Sequence, residues 1–193
     1  MIVRRIAASA AGLALVGTAL AAAPAMAKQN TTELTVDKAF ATATSAVGIK
    51  ISAVKPAKLK GSTLSFKASL KGKNITNKGG LKLELGSKFA TIENLKINYK
   101  TGKASADVNN TVTNSVIPVK NLLVFSGGKN KVAKNGTWKN AKVSLAKSVN
   151  ITSPPLGKQD PAALIGTILG VPATTVANGA QLGKASIKVK LPE

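Results

Sequence analysis

Apolar and polar residues alternate along most of this chain. In 62–70, Leu64, Phe66, Ala68 and Leu70 recur at every second position, which puts all four on one side of a strand. The same period sets Ile49, Ile51 and Ala53 against Lys50 and Ser52, and Pro56 ends that strand. It sets Leu81, Leu83 and Leu85 against Lys82 and Glu84, and a shorter strand fits 33–36. The alternation continues through Leu95, Ile97 and Tyr99, and then through Ala104, Ala106 and Val108. It returns through Ala141, Val143 and Leu145 after Trp138, and closes the chain with Ile187, Val189 and Leu191. Gly86-Ser87 suits a two-residue hairpin turn, because Gly supplies the positive φ. In that register Leu83 faces Ala90, Leu81 faces Ile92 and Glu84 faces Phe89. Thr101-Gly102 suits a second turn. The stretch 116–125 is more continuously apolar, which predicts a strand covered on both sides.

Two stretches switch to a helical period. Asp37 is an N-cap and Gly48 a C′ residue, with Phe40, Ala43, Thr44 and Val47 on one face between them. Asp160-Pro161 is a cap followed by proline at the first helical position. Leu164, Ile165, Ile168 and Leu169 then form the apolar face, and Gly170 ends the helix. A short helical turn fits 173–178. A polar connection falls at 109–114, a lysine-rich turn region at 127–136 and a Pro/Gly loop at 153–158. The pattern predicts a β-rich α+β domain, an antiparallel sandwich or open barrel of about seven to eight strands with two short helices.

The first 27 residues stand apart. Arg4 and Arg5 precede an uncharged apolar run over 6–22, and Ala25-Met26-Ala27 is an A-x-A cleavage site. Residues 1–27 therefore read as a secretory signal peptide, cut before Lys28. The expectation is one secreted domain over 28–193, extracellular at the cell surface or wall, with no transmembrane segment after cleavage.

Charge changes the picture further. The chain carries net +21, with 28 basic residues against 7 acidic ones. Beyond residue 27 the basic residues are 26 lysines and no arginine. Without the arginine fork that reads base edges, sequence-specific nucleic-acid recognition is not expected. Lysine on alternate strand positions is either the solvated face of a sheet or an attraction for anionic cell-envelope polymers. The chain has no Cys and no His, which removes disulfides, thiolate chemistry, the commonest general base and the commonest metal ligand.

The order of segments also resembles a group of secreted actinobacterial proteins. The stretch LTVDKAFATATSAVGIKISAVKPAKLKGSTL over 34–64 resembles the start of these proteins, whose pattern is a helix ending in Gly-Val, a short strand, Pro-Ala, and a strand opened by Gly. Asn77-Lys78-Gly79-Gly80-Leu81 matches its Gly-Gly-Leu turn, and Gly183-Lys184-Ala185-Ser186-Ile187 its last strand. The group is similar to the haem-transport-associated (HtaA-type) domain. The resemblance implies a β-rich fold, secretion, and haem held by a Tyr with a His in support. In this chain the only tyrosine is Tyr99, and Asn77 stands where the group often has His.

Few residues carry candidate chemistry. Tyr99 could ligate haem iron as a phenolate, or continue the core face after Ile97. Trp138 could stack on a ligand, or fill the core at the start of a strand. Ser144-x-x-Lys147 matches a serine-lysine hydrolase motif, but in a predicted strand and not at a helix start. Glu93 and Asp107 are the carboxylates that could meet; Asp37 and Asp160 serve as caps, and Glu84 has lysines as neighbours. No catalytic residue and no metal site is expected. The expected function is a non-enzymatic surface module with a cationic face, with a haem- or small-hydrophobe-binding HtaA-like module as the alternative.

Overall fold

The computed structural model describes residues 30–111, 113–151, 158–176 and 179–191. The signal peptide expected over 1–27 and the Pro/Gly loop over 153–157 lie outside the described residues. Among the described residues, no helix is long and apolar enough to cross a membrane.

The strands follow the period-two runs. They are β1 (Thr31–Val36), β2 (Lys50–Val54), β3 (Lys58–Lys60), β4 (Thr63–Lys71), β5 (Asn74–Lys78), β6 (Gly80–Leu85) and β7 (Lys88–Asn98). After them come β8 (Lys103–Asn110), β9 (Ser115–Ser126), β10 (Lys129–Lys131), β11 (Thr137–Leu145), β12 (Val149–Ile151), β13 (Lys158–Gln159) and β14 (Gln181–Lys188). Among the described residues three helices are interspersed: α1 (Lys38–Ala46), α2 (Val132–Asn135) and α3 (Pro161–Leu169). A 3-10 turn covers Ala173–Thr175.

Eight strands close on themselves in the order β11-β14-β1-β4-β5-β7-β8-β9, with β9 pairing back onto β11 and every pair antiparallel. The sandwich or open barrel expected from the sequence is thus a closed barrel. Eight strands leave an interior that side chains can fill. Leu64, Ile75, Ile97, Val143 and Ile187 are among the buried residues that do so. Alanines at 104, 141 and 185 take the narrow positions beside them.

The long strands β7, β8 and β9 run past the barrel. There β6 pairs with the N-terminal half of β7 and with β2, while β12 extends the sheet from β9. The expected hairpin register is present: Leu81 lies opposite Ile92, Leu83 opposite Ala90 and Glu84 opposite Phe89. Helix α3 packs on β7 through the apolar face read from the sequence. Asp160 caps it by accepting from the backbone N–H of Ala162 at 2.7 Å, and Gly170 ends it in the left-handed region. Asp37 caps α1 in the same way, accepting from Ala39 at 2.9 Å.

Other elements depart from the expectation. Helix α1 buries Phe40 and Thr44, but Ala43 and Val47 are exposed, because only a narrow stripe of this helix meets β14 and β2. The strand over 116–125 is not covered on both sides: Val116 is 61% exposed. A third helix, α2, and strand β10 occupy the region read as a turn, and Asn109 and Asn110 belong to β8. Strands β3, β5 and β12 lacked enough alternating apolar residues to be read.

Gly102, in the β7–β8 turn, has φ 69° and is buried, and a methyl group there would run into the carbonyl oxygen of Phe125. Gly86 has φ 59° with open space around it. Gly102→Ala should therefore cost more than about 2 kcal/mol in urea denaturation, through backbone strain plus the collision. Gly86→Ala should cost about 1 kcal/mol, the left-handed term alone. Equal losses would contradict the packing around Gly102.

Candidate functional site: a lysine-covered face and a cleft at its end

Every lysine whose side chain is described is exposed, except Lys82, which is half-buried. Lys82 ion-pairs with Glu84 at 2.6 Å and lies 4.2 Å from the centre of the Phe89 ring. The hydrogen bond and charge of Lys82, with Lys50 adding to it, hold the Glu84 carboxyl below its ordinary range.

On the outside of the barrel the strand register sets lysines against lysines. Lys67 lies directly opposite Lys78, Lys129 opposite Lys139, and Lys142 opposite Lys184. One rung crosses six strands, in the order Lys131, Thr137, Lys188, Thr31, Lys67 and Lys78. Another runs from Lys142 and Lys184 through Thr35 and Thr63 to Lys60. Between the rungs stands Glu33, flanked by Ser186 and Ser65. Like charges directly opposite one another destabilise a sheet. For two unit charges about 6 Å apart in water the repulsion is about 0.7 kcal/mol, before salt screens it. Serine or threonine would solvate the same positions without that cost.

Tyr99 stands one residue past the end of β7. It follows Leu95 and Ile97 in phase, but emerges at the barrel rim, where it is half-buried. There it lines an open cleft of about 400 Å³ with Lys100, Asn130, Lys131, Ala133 and Lys134. Lys131 belongs both to this cleft and to the first lysine rung.

Two asparagine side chains and one backbone bond build the cleft. Asn98 Oδ1 accepts from the N–H groups of Lys100 at 3.1 Å and Thr101 at 3.3 Å, which shapes the turn. The Tyr99 N–H donates to the Lys73 carbonyl at 3.2 Å. Asn130 spans the two walls: its Nδ2 donates to the Tyr99 carbonyl at 2.8 Å, and its Oδ1 accepts from the Val132 N–H at 3.2 Å.

Trp138 lies opposite Asn130 and is 3% exposed. Its Nε1 donates to the Gly127 carbonyl at 2.9 Å, and its ring packs 6.1 Å from that of Phe125. A buried indole with its N–H satisfied supports the turn beside the cleft, and presents little face to a ligand.

The other candidates lie apart. Glu93 and Asp107 are direct partners across β7 and β8. Glu93 Oε1 accepts from Thr91 Oγ1 and Asn109 Nδ2, each at 2.6 Å, and Asp107 Oδ2 accepts from Asn94 Nδ2 at 2.8 Å. Ser144 lies in strand β11 opposite Val124, and not at a helix start. Among the described residues no group of His, Cys, Asp or Glu could hold a metal ion.

Haem needs an apolar slot for the macrocycle and donors for the iron. The cleft offers one phenol, one methyl group and three ammonium groups, and both ends of its amide are already engaged. These residues do not fit haem. Comparison with protein-family models, with curated proteins and with solved structures finds no match to this chain.

Sequence reading picked out Tyr99, but missed Asn130 and the opposed lysines. Lys142 meets Lys184 across strands far apart in the chain, which no local pattern carries. Lys67–Lys78 and Lys129–Lys139 lie in hairpins of consecutive strands, and were missed because β5 and β10 were not read as strands.

Asn130→Ala should open the cleft. Amide exchange at Val132 should accelerate, with a stability loss of about 0.5–1 kcal/mol for one exposed and one part-buried hydrogen bond. The amide of Leu64 in the barrel should be unchanged, and equal acceleration at both sites would show that Asn130 holds the barrel and not the cleft.

Proposed function

We propose that this protein is a secreted, non-enzymatic module of the cell surface or wall, and that its lysine-covered barrel face holds anionic envelope polymers. The observation that carries this reading is the set of directly opposed lysines, Lys67–Lys78, Lys129–Lys139 and Lys142–Lys184. Solvation alone does not call for paired ammonium groups on neighbouring strands, whereas closely spaced anionic groups along a polymer neutralise them. The supply of lysine without arginine suits diffuse attraction to many anionic groups and not bidentate reading of one. The non-enzymatic reading is supported by the thin inventory of acids, bases and nucleophiles and by the hydrogen bonds that engage Glu93 and Asp107.

The alternative is a haem- or small-hydrophobe-binding HtaA-like module. Its support is the resemblance in segment order; the lining of the Tyr99 cleft does not fit the macrocycle, which puts this reading second.

Two measurements separate these readings. The protein without residues 1–27 should be retained on anionic wall material at low salt and released as the screening length falls from about 10 Å at 0.1 M toward 3 Å at 1 M. The double variant Lys67→Gln/Lys142→Gln should elute at lower salt. Retention unaffected by 1 M salt would sink the electrostatic reading. Titration with haemin should give no saturable Soret change at one equivalent. A saturable change that disappears in Tyr99→Phe would put the haem reading in front.

A further inference from the structure

We propose that the Tyr99 cleft is a saccharide subsite, in which one acidic sugar unit of a bound polymer stacks on the Tyr99 ring while Lys100, Lys131 and Lys134 hold its carboxylate and those of its neighbours. The proposal rests on the polymer-binding reading above and gives that reading a fixed point and a substrate class, an acidic polysaccharide.

Three features of the cleft support this assignment. Its lining contains three lysines and no carboxylate, so it is complementary to an anion on charge alone. It also contains an aromatic ring, which a ring-free polyanion has no use for. The C–H face of a pyranose is apolar and slightly positive at its hydrogens, and it matches the negative face of an aromatic ring. Finally, Lys131 continues into the rung that crosses the barrel to Lys78. A chain anchored by one sugar at Tyr99 therefore has a lysine track leading away from it. Asn130 is a positioning residue here, because both ends of its amide are spent on holding the Tyr99 carbonyl and the Val132 N–H in place.

The backbone contacts of Tyr99, to Lys73 and Asn130, do not involve its side chain. Removal of the ring costs its packing against the core but leaves both backbone ties of the turn in place, and equal loss of both polymers below would report such a general disturbance. This makes Tyr99→Ala a usable test, with Tyr99→Phe as the variant that keeps the stacking face.

The probes are polygalacturonate, which has sugar rings, and inorganic polyphosphate, which has none. The protein lacking residues 1–27 should bind both, more weakly as salt rises. Tyr99→Ala should weaken polygalacturonate binding about tenfold and leave polyphosphate within twofold, while Tyr99→Phe should keep both. Lys131→Gln/Lys134→Gln should weaken polygalacturonate more than Lys58→Gln/Lys60→Gln, a pair of equal charge change away from the cleft. If Tyr99→Ala leaves polygalacturonate unchanged, or weakens both polymers equally, the saccharide subsite is overturned while the polymer-binding reading stands. If the unaltered protein binds neither polymer at low salt, both are overturned.

Discussion

The pairing of β9 with β11, from Ser126 opposite Lys142 to Leu123 opposite Leu145, turns a curved sheet into a barrel. It brings together the two ends of the sheet that carries the opposed lysines of β4, β5, β11 and β14. Strand closure needs the chain to bend, and bulges provide the bends. Three asparagines stand at positive φ beside the register shifts: Asn94 in β7, Asn121 in β9 and Asn140 in β11. Asparagine is among the residues that best tolerate the left-handed region after glycine. Each bulge also shifts the phase of the core face, from Ile92 to Leu95, from Val119 to Leu122 and Leu123, and from Trp138 to Ala141.

Closure also decides which strand edges remain open. Strands β7, β8 and β9 continue beyond the barrel and carry β6, β2 and β12 at one end, where α3 covers β7. At the other end of β7 the chain turns at Tyr99, and β10 and α2 fold down beside it. The three carboxylates Glu84, Glu93 and Asp107 lie on the first of these ends, on the polar side of β6, β7 and β8. The Tyr99 cleft, with its three lysines, lies on the second. The acid-bearing end also carries Lys50, Lys82 and Lys88, so its charges are mixed, whereas the lining of the cleft at the other end has lysines and no carboxylate.

Local signals in the sequence were enough for much of this architecture. The hairpin at Gly86-Ser87 was legible to the residue, because a two-residue loop fixes register by itself. Both main helix starts were legible, because Asp37 and Asp160 can satisfy the first free N–H groups of a helix. Closure was not, because the pairing of Leu145 with Leu123 is a long-range choice. The phase jump from Ile92 to Leu95 was present as a spacing of three in a period of two, and it marks the bulge at Asn94. Strand β5 was hidden because only Ile75 is an apolar inward residue there, and its neighbour on that face is the buried Asn77. At the candidate site, Tyr99 was visible as the only tyrosine. The wall opposite it was not, since Asn130 and Lys131 sit in a segment whose composition reads as a turn.

The opposed lysines tie the stability of the fold to whatever neutralises them. With no counter-charge, Lys67 and Lys78, Lys129 and Lys139, and Lys142 and Lys184 push neighbouring strands apart. A polymer that binds this face removes the repulsion from the folded chain and has no such ordered array to meet in the unfolded one, so binding is also stabilisation. On the proposed reading, simple salt acts in two directions, firming the free barrel by screening while weakening any hold on an anionic polymer. The opposed lysines alone make the free chain least robust at low ionic strength.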